Sequence, residues 1–381
     1  MTAPNKASIL VLGVHPDSEA YPNVKYRLEA LRRHSGYHLS EINYPIWRDA
    51  RKSKGALAAL IRTFWAHTYV LLSCIFRYKK INPQIIYIPY PAIFCTLLVR
   101  LCFIRRPIVL DAFISIYDTV VNDRSVLNKT SIMAKLLFAI ERKAFNLAAK
   151  VMVDTWENAE FYSQLFKLPI EKFVVSPLFT SEEARAGKAV RLDSNKFNVL
   201  FVGNMIPLHG VGVILEAARL LSGEEDIQFV LIGDGQESWR VDEFVGQSNL
   251  RWIRDWVPEF EVKGAIEQAD VCLGVFAGNA KSNRVCPYKL YLYNFLGKPI
   301  VTFASTWAVR QAQSTMTLIP GGDAVQLANA ILELRENLGK GTTKYNNNFY
   351  QACLSNEKAS VVFDTMVNEL IAGYSEVRRG G

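Results

Sequence analysis

The chain has 381 residues, half of them apolar, which is more than one hydrophobic core usually serves and enough for two. Its formal charge of +8 is unevenly placed: residues 1–190 carry 26 Lys+Arg against 15 Asp+Glu, and residues 191–381 carry 18 against 21. Six cysteines without a CxxC pair or a companion His cluster argue against a zinc site and a disulfide framework, and fit reduced thiols in the cytoplasm.

The opening MTAPNKASILVLGV runs straight into a strand-like segment without the order of a signal peptide. Ser8–Gly13 is the first buried strand and Asn23–His34 reads as a helix. Residues 50–110 then hold ten cations and no acid: Arg51, Lys52, Lys54, Arg62, Arg77, Lys79, Lys80, Arg100, Arg105 and Arg106. Such a surface attracts nucleic acid, anionic lipid headgroups or a phosphorylated small molecule, or is simply solvated, and charge alone does not choose. No RNA-binding motif or cluster of aromatic and basic stacking residues accompanies it, so no nucleic-acid partner is expected.

Within this basic stretch, Ala56–Phe76 and Ala92–Phe103 read as apolar helices, each either core or membrane interface, because neither is long and clean enough to span a bilayer. Ile85–Pro89 and Pro107–Asp111 read as strands, Ser131–Lys150 as a long helix, and Lys150–Asp154 and Lys172–Ser176 as short strands. The polar segment 177–195 reads as a linker, which puts a domain boundary near residue 190 and gives domains 1–190 and 191–381. Beyond it come strands at Phe197–Gly203, Ile227–Gly233, Val271–Val275 and Pro299–Phe303, with helices at Val213–Leu221 and Tyr288–Leu296. The tail closes in a helix near Lys358–Val377. Alternating strands and helices predict parallel sheets covered by helices, two α/β halves in tandem.

Three segments carry the candidate chemistry. In FVGNMIPLHGVGVILEAARLL a strand ends at Gly203, a loop holds Asn204, His209 and Gly210, and a helix follows. Free amides and the positive end of the helix dipole suit a diphosphate there, although many such turns carry glycine only for geometry. In LIGDGQE, Gly233 and Gly235 flank Asp234 after a buried strand, a pattern that also suits a plain tight turn. In NAKSNRVCPYKLYLYNFLGKPIVTF, the cations Lys281, Arg284 and Lys289 lie near a helix start, where they can act on one phosphate cluster. In the first half, DAFISIYDTVVNDRS places Asp111, Ser115, Asp118, Asp123 and Arg124 after a strand's carboxyl end, where open α/β sheets bind ligands and where helix caps also occur. His15 follows the first strand in the same way.

In this order and spacing, the three segments of the second half resemble the large glycosyltransferase family 4 (group 1), whose members fold as two facing Rossmann-like domains, the GT-B fold. The resemblance covers most of residues 197–310 and more faintly the whole chain. It implies a donor site at Gly203, Asn204, His209, Gly210, Gly233, Asp234, Val257, Lys281, Arg284 and Lys289, catalytic roles for Asp118, Arg284 and Lys289, and acceptor contacts at His15, Asp111 and Ser115. A C-terminal helix packing back toward the first domain belongs to the same expectation.

The chain departs from the family at four positions. Asn204 and His209 stand where relatives often have an Arg and a Lys, Leu292 stands where they often have the Glu that holds the donor ribose, and Phe113 stands where many have a catalytic-site His. Lys281, Arg284 and Lys289 match the basic positions of a subgroup with R-V-x-P-x-K. The implied activity moves a sugar from a nucleotide-diphosphate sugar, UDP- or GDP-linked, to a hydroxyl of a glycan or polyprenyl-linked acceptor. Retention, no obligatory cofactor or metal, and work at the inner face of the cell membrane in polysaccharide or glycolipid synthesis go with it. A sugar-nucleotide epimerase or hydrolase, and a non-catalytic relative serving as a membrane-associated binding partner, are the alternatives.

Overall fold

The structure is a computed structural model that describes residues 6–16, 21–45, 56–102, 106–182, 190–311, 316–339 and 348–379. Of the sequence expectations, the middle of the linker (183–189), Phe103, and the cations Arg51, Lys52, Lys54 and Arg105 lie outside the described residues. The chain forms two compact units, Met1–Ser181 with Asn356–Gly381, and Glu182–Ser355.

In chain order the first unit runs β1 (Ala7–Gly13), α1 (Pro22–Arg33), β2 (Tyr37–Asn43), α2 (Ala56–Ile81), β3 (Ile85–Ile88), α3 (Cys95–Cys102), β4 (Ile108–Asp111), α4 (Ile132–Leu147), β5 (Lys150–Val153), α5 (Trp156–Phe166) and β6 (Phe173–Val175). The strands form one parallel sheet in the order β2-β1-β3-β4-β5-β6. Strands covered on both faces read as apolar runs, as IIYI does, and IVLD is apolar up to its last residue, Asp111. On one face Leu10, Leu12, Ile86, Ile88, Ile108 and Leu110 meet Ala66, Val70 and Cys74 of α2, Cys95 and Val99 of α3, Phe145 of α4 and Phe166 of α5.

The other face, with Ile9, Val11, Ile85, Tyr87 and Val109, is covered by Val24, Leu28 and Leu31 of α1 and by Phe363, Met366 and Val367. Those last three belong to the final helix of the chain (Asn356–Arg379), which is therefore part of the first unit's core. Its Asp364 carboxylate accepts a hydrogen bond from Tyr37 Oη and lies 3.2 Å from His34 Nε2, and its Asn356 amide exchanges two hydrogen bonds with the backbone of Thr180. The helix read from the sequence with residues 191–381 thus packs with the N-terminal sheet.

The second unit runs β7 (Phe197–Val202), α6 (Val211–Leu220), β8 (Ile227–Ile232), α7 (Ser238–Asp242), β9 (Leu250–Ile253), α8 (Glu259–Gln268), β10 (Val271–Leu273), α9 (Tyr288–Phe295), β11 (Ile300–Phe303), α10 (Thr306–Gln311), β12 (Thr317–Ile319) and α11 (Ala324–Gly339); the final helix is α12. Its sheet is again parallel, in the order β12-β11-β10-β7-β8-β9. Ile214, Leu215 and Ala218 of α6 and Leu327, Ile331 and Leu334 of α11 pack with Val199, Phe201, Phe229, Leu231 and Leu273. Strands β2, β9 and β12 and helices α5, α7, α8, α10 and α11 are additions to the elements expected from sequence.

Strand order fixes where a site can form. From β7 the chain moves one way to β8 and β9, then returns to add β10 on the other side. The connections leaving the carboxyl ends of the adjacent strands β7 and β10 therefore run to opposite sides, which opens a crevice between them, the usual ligand position in open α/β sheets. In the first unit the equivalent switch point is β1 and β3. No helix among the described residues is long and apolar enough to cross a membrane.

Candidate functional site

At the carboxyl end of β7 the backbone turns at Gly203 (φ +147°), runs through a short helical turn Pro207–His209, and enters α6 through Gly210 (φ +64°). Both glycines are needed. A Cβ at Gly210 would lie 2.6 Å from the Ala277 nitrogen, and its left-handed φ is one that side chains rarely adopt. A Cβ at Gly203 would fall 2.9 Å from Lys289 Nζ and 3.2 Å from His209 Cε1, so the ammonium and the imidazole flank the same point above this glycine.

Lys289 comes from the first turn of α9, a helix whose Lys289 to Asn294 are all buried. Its Nζ lies 3.7 Å from the centre of the Phe201 ring and, among the described residues, has no hydrogen-bond partner. Burial pushes its pKa well below the usual lysine range. A buried ammonium held only by an aromatic face lacks a counter-charge, and the face supplies part of the missing stabilisation.

His209 packs edge-on to Phe201 at 5.6 Å, and its Nδ1 donates to the Asn204 carbonyl, which fixes the tautomer of the neutral ring and leaves Nε2 as the other polar nitrogen. Tyr293 Oη accepts the Val202 N–H at 3.1 Å and so ties α9 to the end of β7. The amides at the start of α6 have no side-chain cap, as Gly210 offers none.

The GDG turn packs directly against this loop. A Cβ at Gly233 (φ +131°) would fall 2.2 Å from the Gly203 oxygen, and one at Gly235 would fall 2.7 Å from the Met205 nitrogen. Trp252 Nε1 donates to the Gly233 oxygen at 2.8 Å and holds the turn from β9. Asp234 is exposed and serves the turn: its carboxylate accepts from Ser238 Oγ and from the Gly235 N–H at 2.9 Å, with Arg254 Nε at 3.4 Å. The Ser238 hydrogen bond foremost holds it below the usual aspartate range.

The structure thus brings Gly203, His209, Lys289 and Gly233 together, with Asn204 and Gly210 on the same loop. Lys281 and Arg284 lie on the loop between β10 and α9. Lys281 is buried, and the half-buried Arg284 donates to the Ala280 carbonyl at 2.7 Å within its own loop. Val257 is half-buried in the connection from β9 to α8, and Leu292 is buried inside α9. Phe201, Tyr293 and Trp252 complete the arrangement without having been singled out from sequence, since each acts across strands rather than through a motif.

The first unit's candidates are engaged in the fold. Asp111 forms a buried pair with Arg27 (3.1 Å) and accepts from Tyr87 Oη (2.8 Å), while Arg27 also donates to the Pro177 oxygen (3.0 Å). Ser115 Oγ donates to Glu141 Oε2 (3.0 Å) and caps the Asp118 N–H (3.0 Å), and Glu141 also accepts from the amides of Ile116 and Tyr117. Desolvation raises the Glu141 carboxyl to about 7 against these donors. Asp118 is buried and accepts from Asn122 Nδ2 at 2.9 Å. His15 is buried at the β1 end, with Nδ1 3.2 Å from the Pro16 oxygen. Phe113 stacks obliquely on Tyr90, with centroids 4.6 Å apart. Among the described residues no group of three His, Cys, Asp or Glu side chains is placed to hold a metal ion.

Residues 196–337 match the family described as glycosyl transferases, group 1. Over that segment the chain is similar to the group 1 glycosyltransferase domain. The segment spans β7 to most of α11 and so contains the whole Gly203–Lys289 arrangement. The full fold is similar to a sucrose-phosphate synthase from Thermosynechococcus elongatus (TM-score 0.68, 15% identity, covering 97% of this chain and 100% of that one). It is also similar to a glycosyltransferase from Rickettsia africae (0.60, 14%, 99% and 100%) and to Anabaena HepE in complex with UDP (0.55, 13%, 99% and 100%). Two parallel Rossmann-like sheets in tandem are the GT-B architecture. No curated protein matches the chain by sequence.

Proposed function

We propose that the protein transfers a sugar from a nucleotide-diphosphate sugar, UDP- or GDP-linked, to a hydroxyl of a glycan or lipid-linked acceptor. The reading carries retention, no obligatory cofactor, and a place at the inner face of a membrane in polysaccharide or glycolipid synthesis. The observation that supports it most is Lys289, a buried ammonium with no hydrogen-bond partner among the described residues, set over Gly203 beside His209. A diphosphate at that point would receive the ammonium, the imidazole and the uncapped amides at the start of α6 together. In this reading Gly203 keeps a side chain out of the diphosphate's way, Gly210 lets α6 start against the Ala277 backbone, Gly233 sets the loop, and Lys281, Arg284, Asn204, Asp234 and Val257 border the donor.

The chemistry required is stabilisation of a leaving diphosphate as the bond to the anomeric carbon breaks. A preorganised cation in a dry site does that without reorganising when charge develops. The acceptor side is assigned by the same strand-end rule to β1 and β3 of the first unit, where His15 stands. Arg284 and Lys289 are assigned to the leaving group, and the internal hydrogen bonds of Asp111, Ser115 and Asp118 favour a supporting role for them.

Leu292, apolar and buried where relatives often have the ribose-binding carboxylate, favours one other reading, a non-catalytic relative serving as a membrane-associated binding partner. Release of nucleoside diphosphate from a panel of nucleotide sugars distinguishes the readings. Release that depends on added glycan or lipid-linked acceptor is expected. Release without acceptor points to hydrolysis, and binding with no release to the non-catalytic relative.

A further inference from the structure

Helix α2 has two apolar faces. Ala66, Val70 and Cys74 are buried against the first unit's sheet. Phe64, Trp65, Tyr69, Leu72, Ile75 and Phe76 are exposed, Phe76 by 82% and Phe64 by 67%. At about 100° per residue these six fall within an arc of roughly 140°, centred nearly opposite the buried stripe. Solvent is the usual neighbour of a helix's outer face, and a continuous stripe of aromatic and aliphatic side chains there marks an interaction surface. Helix α3, the other apolar segment of this region, shows no such face among its described side chains: Cys95, Thr96 and Val99 are core.

The charge around the stripe selects its partner. Residues 50–110 contain no acid, and on α2 itself Arg77 and Lys80 are exposed while Arg62 is half-buried. Arg62 and Lys80 fall at one edge of the stripe on the same helical wheel. Large aromatics on one face with cations beside them fit a helix lying in the plane of a bilayer, rings at the headgroup level and cations on anionic phosphates. A second copy of the chain would bring the same cations together without an acid to meet them.

We propose that the outer face of α2 docks the protein on the surface of an anionic phospholipid membrane, with Phe64, Trp65, Tyr69 and Phe76 inserted and the neighbouring cations on the headgroups. This deepens the membrane-side part of the reading above. Because it concerns the first unit alone, its test needs no nucleotide and leaves the donor site untouched.

The test is co-sedimentation of the full chain with vesicles of pure phosphatidylcholine and of phosphatidylcholine with about a third phosphatidylglycerol. Binding to the anionic vesicles at least tenfold above the neutral ones, weakened by salt, is expected. Trp65→Ser with Phe76→Ser should reduce it tenfold or more while thermal unfolding of the protein stays unchanged, because both side chains are exposed. Equal or no binding to the two vesicles overturns the proposal. So does a wild-type dimer in light scattering that the double variant converts to monomer, since that identifies a second copy as the occupant.

Discussion

Lys289→Met separates the two roles that a buried lysine can have. In the unliganded protein its amine is buried without a hydrogen-bond partner among the described residues, and the desolvation that lowers its pKa is offset only in part by the Phe201 ring face. Methionine keeps the chain over the ring and removes the charge, so unliganded stability should change by no more than about 1 kcal/mol. Removing one partner of a satisfied buried ion pair would instead cost about 3–5 kcal/mol. Nucleotide binding should respond oppositely: losing a buried charge-assisted contact costs about 2–4 kcal/mol, roughly a 30- to 800-fold rise in Kd.

The depressed pKa adds a signature. Lysine with a lowered folded pKa is neutral above that value, so a phosphate that recharges it must take up a proton, and affinity should fall as pH rises through the folded pKa. Calorimetric titration with nucleoside diphosphate in two buffers of different ionisation enthalpy measures this directly. Net proton uptake by the wild type and none by Lys289→Met is expected. A variant that loses several kcal/mol of unliganded stability yet binds nucleotide with unchanged affinity and proton count would refute the reasoning.

Other substitutions test the surroundings. Gly233→Ala places a methyl 2.2 Å from the Gly203 oxygen and forces the two loops apart, so nucleotide affinity should drop at least tenfold and unfolding should show a loss of about 1–3 kcal/mol. His209→Ala removes the bond that orders the Asn204 carbonyl, and titration should show weaker nucleotide binding with less than about 1.5 kcal/mol lost in urea unfolding. Glu141→Gln turns an amide N–H toward donors that now meet carboxyl oxygens, with an expected loss of about 1–3 kcal/mol. Because the folded Glu141 carboxyl titrates near 7, above its unfolded value, its stabilisation is full at low pH and declines as pH rises through that window. Urea unfolding from pH 4.5 to 8 should show this decline in the wild type and its absence in the variant.

The second unit's strands and the loops at Gly203 and Gly233 were legible because fully buried parallel strands read as unbroken apolar runs ending in glycine, as in FNVLFVG and IQFVLIG. The edge strands were not. Tyr37–Asn43 (YHLSEIN) lies at the sheet margin, where only some positions are buried, and Thr317–Ile319 is three residues long. Lys289 could be chosen by motif, but its contact with Phe201 joins residues far apart in the chain and exists only once β7 and α9 pack. Asp111 shows the converse: a carboxylate at a strand's carboxyl end reads as a site residue, and only the fold reveals that it is paired with Arg27. For α2 the sequence left core and interface equally open, since both faces are apolar, and side-chain exposure separates them.

The most direct test of the central claim is thermal unfolding of the wild type and Lys289→Met with UDP, GDP, ADP, CMP and dTDP and their sugars. A ligand at about 100 times its Kd adds roughly 2.7 kcal/mol, which is about 5–10 °C for a unit of this size. One nucleotide should stabilise the wild type by that amount and leave Lys289→Met unmoved. No shift with any of them, or the same shift in both proteins, would contradict a donor diphosphate held at Lys289.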